Sequence, residues 1–294
     1  MQTTEEIKRQ LSATGDMRSV VRTMKSLAAV NIRQYEKAAR SLADYERVIE
    51  MGLSVVLRNR PEQMEFTRET ESEKYGAIVF GSDQGMCGQF NENIVDYTEE
   101  VFRELDIEKS EITILALGEK VAGLLKSDGF NIGDKLSVPA STAGITESTR
   151  AVLYKIVDWR ETRDVRNVYL LFNEPKSRAS YDPSHIRLLP TDSQWLESLI
   201  TREWDSRSLP IFTMNWDELF SALIREYLFV SIFRATADSL NSENASRLSA
   251  MQVAEKNIDE RLDMLKTQYN RQRQSSITSE LLDIVAGFEA LTKA

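Results

Sequence analysis

Proline and glycine are spread so unevenly along this chain of 294 residues that they dictate its plan. All six prolines lie between Pro61 and Pro210, and no glycine occurs between Gly144 and Gly287. In a helix interior proline costs about 3 kcal/mol and glycine about 1 kcal/mol. Two long arms, residues 3 to 58 and 216 to 292, are therefore permitted to be helical and flank a turn-rich middle.

Hydrophobic spacing turns permission into prediction. In the C-terminal arm Phe220, Leu223, Ile224, Tyr227, Leu228, Leu240, Leu248, Met251, Ile258, Leu262, Leu265, Tyr269, Ile277, Leu281, Ile284, Phe288 and Leu291 recur at helical steps. The N-terminal arm does the same with Ile7, Leu11, Val20, Val21, Met24, Leu27, Ala28, Tyr35, Ala39, Leu42, Tyr45, Val48, Ile49 and Leu53. Each arm thus carries an apolar stripe in need of a partner. At 1.5 Å per residue the C-terminal helix runs to roughly 115 Å and the N-terminal one to roughly 80 Å, whereas a compact middle of about 140 residues has a radius of gyration near 14 Å. Most of both stripes must then face each other in an antiparallel pair. The expected fold is α/β with a long α-helical coiled coil, built from an N-terminal shaft helix (1–60), a small three-layer Rossmann-like foot (61–210) and a C-terminal shaft helix (211–294). The C-terminal helix outruns its partner, leaving residues 270–294 as a tip whose stripe a second protein covers.

The chain is 41% apolar and 28% charged, enough for a real core. No apolar run reaches the 18 to 20 residues of a membrane span and the N-terminus is charged, which points to a cytoplasmic location without direct membrane insertion. A single cysteine, Cys87, excludes an internal disulfide and fits a reducing compartment. Residues 1–60 carry 11 basic and 7 acidic groups, 61–210 carry 17 and 27, and 211–294 carry 9 and 12, so the acidity sits in the foot. That balance disfavours a nucleic-acid partner. Two stretches lack acids: Arg18, Arg22, Lys25 and Arg33 lie between Asp16 and Glu36, and Lys266, Arg271 and Arg273 between Asp263 and Glu280. They are either a solvated helix face or a positive collar that meets an acidic protein surface.

In the middle, Tyr75 to Phe80 reads as a buried strand that runs into the glycine-rich turn Gly81-Ser82-Asp83-Gln84-Gly85-Met86-Cys87-Gly88-Gln89-Phe90-Asn91 and then a helix. Glu111 to Leu117 reads as a second strand, Lys120 to Leu125 and Glu147 to Trp159 as helices, and Val165 to Phe172 as a third strand. The turn lacks the Gly-Lys-Ser/Thr ending of a phosphate loop, and its glycines at 81, 85 and 88 miss the dinucleotide spacing. They read instead as a tight turn with close strand-to-helix packing, and no cofactor is expected. His185, the one histidine, is placed in a proline-flanked loop with no convincing nucleophile beside it. One cysteine and one histidine leave only a carboxylate metal site, and no such spacing appears. The acidic run Glu69, Glu71 and Glu73 reads as a solvated linker. No active site is expected in this chain.

The residues of the C-terminal arm carry a family resemblance. Ser242-Glu243-Asn244-Ala245-Ser246-Arg247-Leu248-Ser249-Ala250-Met251, then Lys256-Asn257, then Tyr269-Asn270-Arg271-Gln272-Arg273-Gln274-Ser275-Ser276-Ile277-Thr278 resemble the signature of the gamma subunit of F-type ATP synthases. The turn Gly81 to Asn91, the stretch Arg22-Thr23-Met24-Lys25-Ser26-Leu27-Ala28-Ala29 and Leu188-Leu189-Pro190 also have counterparts, so the likeness covers essentially the whole chain. The resemblance implies a central rotor shaft, one copy per complex, turning inside a ring of alpha and beta subunits. Its foot would sit with the epsilon subunit on the membrane c-ring, at the cytoplasmic face of the cell membrane. Rotation would couple ion transport to ATP synthesis or hydrolysis on the beta subunits, whose residues do the chemistry. Carried over by motif, Arg273, Gln274 and Thr278 would contact a beta-subunit loop, and Arg22, Met24 and Lys25 would approach the beta subunit's acidic lever. Gly81, Asp83, Gly85, Gly88 and Asn91 form the foot turn, and Phe212 and Trp216 lie on the c-ring side. Gln84 stands where the family has arginine, Gln89 where it has glycine, and Phe212 to Trp216 replaces an acidic-proline motif. The Gln84 and Gln89 version, with Thr14 to Met17 and Tyr35-Glu36, looks more like the gamma chain of the alternative, N-type F-ATPases. The rival readings are a non-rotary coiled-coil scaffold with an α/β interaction domain, which gives no reason for the Arg273-to-Thr278 signature, and a nucleotide-dependent α/β enzyme.

Overall fold

Both arms are single helices: α1 spans Thr4–Arg58 and the last helix, described below as α6, spans Trp216–Thr292. A computed structural model describes residues 3–61, 74–177, 180–202 and 210–292; the acidic run Glu69, Glu71 and Glu73 lies outside them. The chain divides into two compact units, Met1–Leu27 with Leu248–Ala294, and Ala28–Arg247.

The larger unit holds the sheet. Its elements are β1 (Tyr75–Phe80), α2 (Phe90–Glu104), β2 (Ile112–Leu117), α3 (Glu119–Ser127), β3 (Asn131–Leu136), α4 (Thr142–Arg163), β4 (Asn167–Ser177), β5 (Ser180–Leu189) and α5 (Ser193–Thr201), with the inner parts of α1 and α6. The strand order is β3-β2-β1-β4-β5, parallel except for the antiparallel β4–β5 pair. The three central strands are near-continuous apolar runs because both faces are covered. On one face α2 and α3 bring Ile94, Phe102, Val121 and Leu125 against Ala77, Val79, Ile114 and Leu171. On the other, Val152, Ile156 and Trp159 of α4 pack against Ile78, Phe80, Leu115 and Leu170, and α6 completes that layer with Leu228, Ile232 and Ala235. Burying a side chain such as Ile232 completely is worth about 1.5 to 3 kcal/mol. The C-terminal helix is thus part of the domain's own core. A third cluster joins Ile49, Leu53 and Leu57 of α1 to Leu196 and Leu199 of α5 and Val230 of α6.

Two strands escaped the sequence reading, and each has a physical reason. β3 is a half-exposed edge strand carrying Gly133, Asp134 and Lys135, so it shows neither an apolar run nor a clean alternation. β5 contains Pro183, which an edge strand tolerates. His185, expected in a loop, therefore sits in a strand, paired with Leu171 of β4.

The smaller unit is a pair of helical segments that run antiparallel, Arg18 facing Asp259 and Arg22 facing Glu255. Ile7, Met251, Leu262 and Leu265 are buried in it. Not all of the expected α1 stripe faces inward: Val20, Leu27, Tyr45 and Val48 are 44% to 60% exposed. In the smaller unit the inward positions of α1 step by about 3.5 residues through Ile7, Leu11, Arg18, Val21 and Lys25, and within the larger unit α1 does the same through Ala28, Ile32, Tyr35, Ala39, Leu42, Glu46, Ile49 and Leu53. Those charged seam residues are held by ion pairs to α6, so a pattern read from apolar residues alone drifts outward.

Candidate functional sites on the helices and at the glycine-rich turn

The glycine-rich turn is knotted together by side chains. Asn91 accepts from the Ser82 amide (2.9 Å) and its own amide donates to the Ser82 hydroxyl (2.8 Å). Asp83 accepts from the Glu119 amide at the start of α3 (3.0 Å) and from the Val138 amide (2.9 Å), tying two further loops to the turn. A Cβ on Gly81 would stand 2.3 Å from the Cβ of Val121, so close packing demands glycine there. Gly88 has φ +60° and lies 3.1 Å, measured from where its Cβ would be, from the Ser246 hydroxyl. Gly85 has neither constraint: only the Lys120 Cε would come near an added Cβ, at 3.9 Å, and the next residue, Met86, takes the positive φ instead.

This turn follows the carboxyl end of β1, where the strand order reverses, β2 lying on one side of β1 and β4, reached from β3, on the other. Ligands of doubly wound folds bind in that crevice. Here it is filled by the chain itself. Ser242 of α6 donates to the Asn173 carbonyl of β4 (2.9 Å), Ser246 donates to the Cys87 carbonyl, and Arg247 donates to the Gln84 carbonyl (3.4 Å). The Asn173 side chain donates to the Phe90 carbonyl (3.1 Å). Glu243 and Arg247 pair at 2.6 Å, one helical turn apart. Burial pushes the Glu243 carboxyl above its ordinary pKa, with Arg247 opposing the rise. Over Ala235 to Ser246 every residue of α6 is buried, polar ones included. Sequence reading singled out Ser242 to Arg247 only as a resemblance; the signal it left unused was a polar run inside a striped helix with no face left for solvent.

A second buried acid lies one turn earlier on another side. Asp238 is 8% exposed and burial raises its pKa to about 6, against the pull of Arg234. Arg234 bridges Asp238 (3.7 Å) and Glu46 of α1 (3.2 Å).

Burial raises the Cys87 thiol pKa and lowers that of His185, whose Nδ1 meets the Tyr97 hydroxyl at 2.8 Å. The thiol instead neighbours Ser82 and Asn91, so the two residues do not form a nucleophile–base pair.

On α1 in the smaller unit, Arg22 binds Glu255 at 2.7 Å and Lys25 bonds the same carboxylate. Their hydrogen bonds hold Glu255 below the usual carboxylate range. Part of the positive collar therefore answers an acid of its own chain; Met24 is half-buried beside it, and Met17 and Val20 are exposed. On α6, Arg273, Gln274 and Thr278 are exposed, the Thr278 hydroxyl donating to the Gln274 carbonyl at 2.9 Å. Ile277, Leu281, Leu282, Ile284 and Val285 around them are 45% to 68% exposed. In the larger unit Trp216 donates its indole N–H to the Val56 carbonyl (2.8 Å) and stacks on Phe220, with ring centroids 4.8 Å apart. Phe212 is half-buried, while Ile211 is 92% exposed.

Comparison with known proteins gives a consistent picture. A family model described as ATP synthase matches residues 3–291. An ATP synthase gamma chain of Syntrophus aciditrophicus (strain SB) is 30% identical over 290 residues, covering 98% of both chains. One from Geobacter metallireducens is 29% identical, covering 99% of both. A chain in the cryo-EM structure of the Euglena gracilis mitochondrial ATP synthase, OSCP/F1/c-ring, superposes with a TM-score of 0.67 at 18% identity, covering 98% of this chain and 94% of that one. A chain from the rotor of the same enzyme gives 0.61 at 17% identity, covering 93% and 98%.

Proposed function

This chain belongs to the ATP synthase family, to its gamma-chain branch, and on that premise we propose the mechanism by which it works. It is the central rotor shaft of an F-type ATP synthase, a component of a membrane-bound complex that couples ion transport to ATP synthesis or hydrolysis. Its partners are the alpha and beta subunits and the c-ring, and we add the epsilon subunit at the foot. Among the described residues no helix is long and apolar enough to cross a membrane, so the membrane is reached through the c-ring, in our reading from the cytoplasmic face. Catalysis is left to the beta subunits: the crevice where a Rossmann-like domain would hold a nucleotide is filled by Ser242 and Ser246.

The observation that carries this reading is the exposed apolar row near the end of α6. A row from Ile277 to Val285 that stays uncovered in the isolated chain is a contact surface for other chains. Arg273, Gln274 and Thr278 stand on it, and there they meet the beta subunit. A charged hydrogen bond from Arg273 would hold one angular position by about 1.5 to 3 kcal/mol. Arg22, Met24 and Lys25 form the second contact, where the Glu255 carboxylate spreads the charge of the two cations rather than leaving each to bind a partner strongly. Ile211 and Phe212, near the start of α6, face the c-ring side, with Trp216 anchoring that end to α1.

Co-expression with matched alpha and beta subunits, size exclusion and an ATPase assay test the reading. A complex of three alpha, three beta and one copy of this chain, active only with it, is expected; failure to assemble with matched partners would return the scaffold alternative.

A further inference from the structure

We propose that the glycine-rich turn and the Ser242-to-Arg247 segment of α6 form an angular register pin, the place where a turning force passes between the α/β domain and the helix. The inference rests on the rotor reading and deepens it by naming where the grip lies.

An apolar stripe keeps a helix from being turned out of its groove, because that would expose the stripe, but hydrophobic and dispersion attractions have no direction of their own and define the angle within the groove only loosely. Hydrogen bonds do have direction and weaken steeply when misaligned. On the side of α6 that packs on the sheet, the contacts are apolar at Leu228, Ile232 and Ala235 and then become polar at two successive turns, Ser242 and Ser246. Both hydroxyls donate to main-chain carbonyls, of Asn173 and Cys87. Such acceptors belong to a strand and a knotted turn, and they cannot follow a rotating helix. A rotation by one residue, about 100°, would carry both hydroxyls off their acceptors. Arg247 extends the grip to the Gln84 carbonyl, its guanidinium held by Glu243. On a different side of the same segment, the Asn244 carboxamide accepts from Asn31 of α1 at 3.3 Å. The register is therefore fixed from two directions. Gly88 allows the turn to come this close, since a Cβ there would crowd the Ser246 hydroxyl. Alanines at 242 and 246 would preserve the burial but not the direction.

The full-length chain carrying Ser242→Ala and Ser246→Ala is assembled with its alpha, beta and membrane-sector partners, and ATP hydrolysis and ATP-driven ion pumping are measured on the same membranes. Each hydroxyl is expected to change the occupancy of the correct register by roughly tenfold. Ions pumped per ATP should therefore fall several-fold in the double variant while hydrolysis stays near wild type, with each single variant in between. Thr98→Ala is the control: it deletes a buried hydroxyl bonded within α2, to the Ile94 carbonyl at 2.6 Å. It should lower the thermal midpoint of the chain and leave ions per ATP unchanged. A double variant that assembles and pumps at the wild-type ratio overturns the pin, as does a Thr98→Ala complex that loses coupling to the same extent. If the double variant does not fold, the single variants decide by the same ratio. A wild-type chain that fails to assemble, or whose omission leaves hydrolysis unchanged, overturns the rotor reading instead.

Discussion

Replacing Asp238 by asparagine should stabilise the full chain at neutral pH and leave its stability unchanged in acid. Asp238 is buried, and its pKa stands at about 6 against an ordinary 3.8. An acid whose pKa is raised on folding is one whose charged form the fold disfavours. Well below pH 3.8 it is protonated in both states and contributes nothing. As pH rises towards 6 the unfolded chain ionises first, and stability declines until both states are charged. At about 1.4 kcal/mol per tenfold, the gap is worth roughly 3 kcal/mol. That figure already contains the opposing attraction of Arg234, 3.7 Å away, so nothing further is subtracted for it. The gain should be at most about 3 kcal/mol above pH 7, or roughly 6 to 12 °C in the thermal midpoint of a domain this size. Thermal unfolding of the wild-type and variant full-length chains by circular dichroism at about pH 3 and about pH 8 checks it. An equal shift at both pH values, or destabilisation at pH 8, would refute the assignment of a strained buried carboxylate.

Three further outcomes follow from the same structure. Arg273→Ala should lower ATP turnover of the assembled complex while leaving the helical content of the chain unchanged, because the side chain is exposed on α6; normal turnover in a fully assembled complex would remove Arg273 from the beta-subunit contact. Glu255→Gln should abolish the acid sensitivity of the helix pair in the smaller unit. The Glu255 pKa is lowered by Lys25 and Arg22, so its contribution is present above the ordinary carboxylate range and lost as pH falls through the depressed value; fraying on acidification that is the same in variant and wild type would count against it. Gly81→Ala should destabilise the larger unit by about 3 kcal/mol or more through overpacking against Val121, and a melting point within a degree of wild type would show that the turn yields.

The C-terminal arm was legible from its missing prolines and its long glycine-free run, and the N-terminal arm, which contains Gly15 and Gly52, from its missing prolines and the periodic apolar trace that long helices leave. The central strands were equally plain, because a strand covered on both faces has to be apolar throughout. β3 and β5 were not, being edge strands whose residues answer to solvent on one side. The site divided in the same way. Arg273, Gln274 and Thr278 could be picked out as motif members, but nothing in the sequence says that Arg22 and Lys25 share Glu255, a residue more than two hundred positions away. Nor could the turn's partner be read: Gly81 and Gly88 signalled close packing, while Ser242 and Ser246 gave no sign that they were what packs there. Long-range polar pairing has no period, and so leaves no pattern to find.

The sheet's second face is closed by Leu228, Ile232 and Ala235, residues that lie beyond every strand in chain order. During synthesis the chain emerges from its N-terminus, so Phe80, Leu117 and Phe172 are made well before the helix that covers them. An α/β domain that elsewhere could fold as soon as its last strand left the ribosome must here wait for the final helix, with an apolar surface open in the meantime. Chaperone occupancy of the nascent chain should accordingly persist past residue 189 and fall only after residue 235 has cleared the exit tunnel. A nonsense mutation between those points would leave a strand-complete domain that aggregates, whereas one beyond residue 247 would spare it.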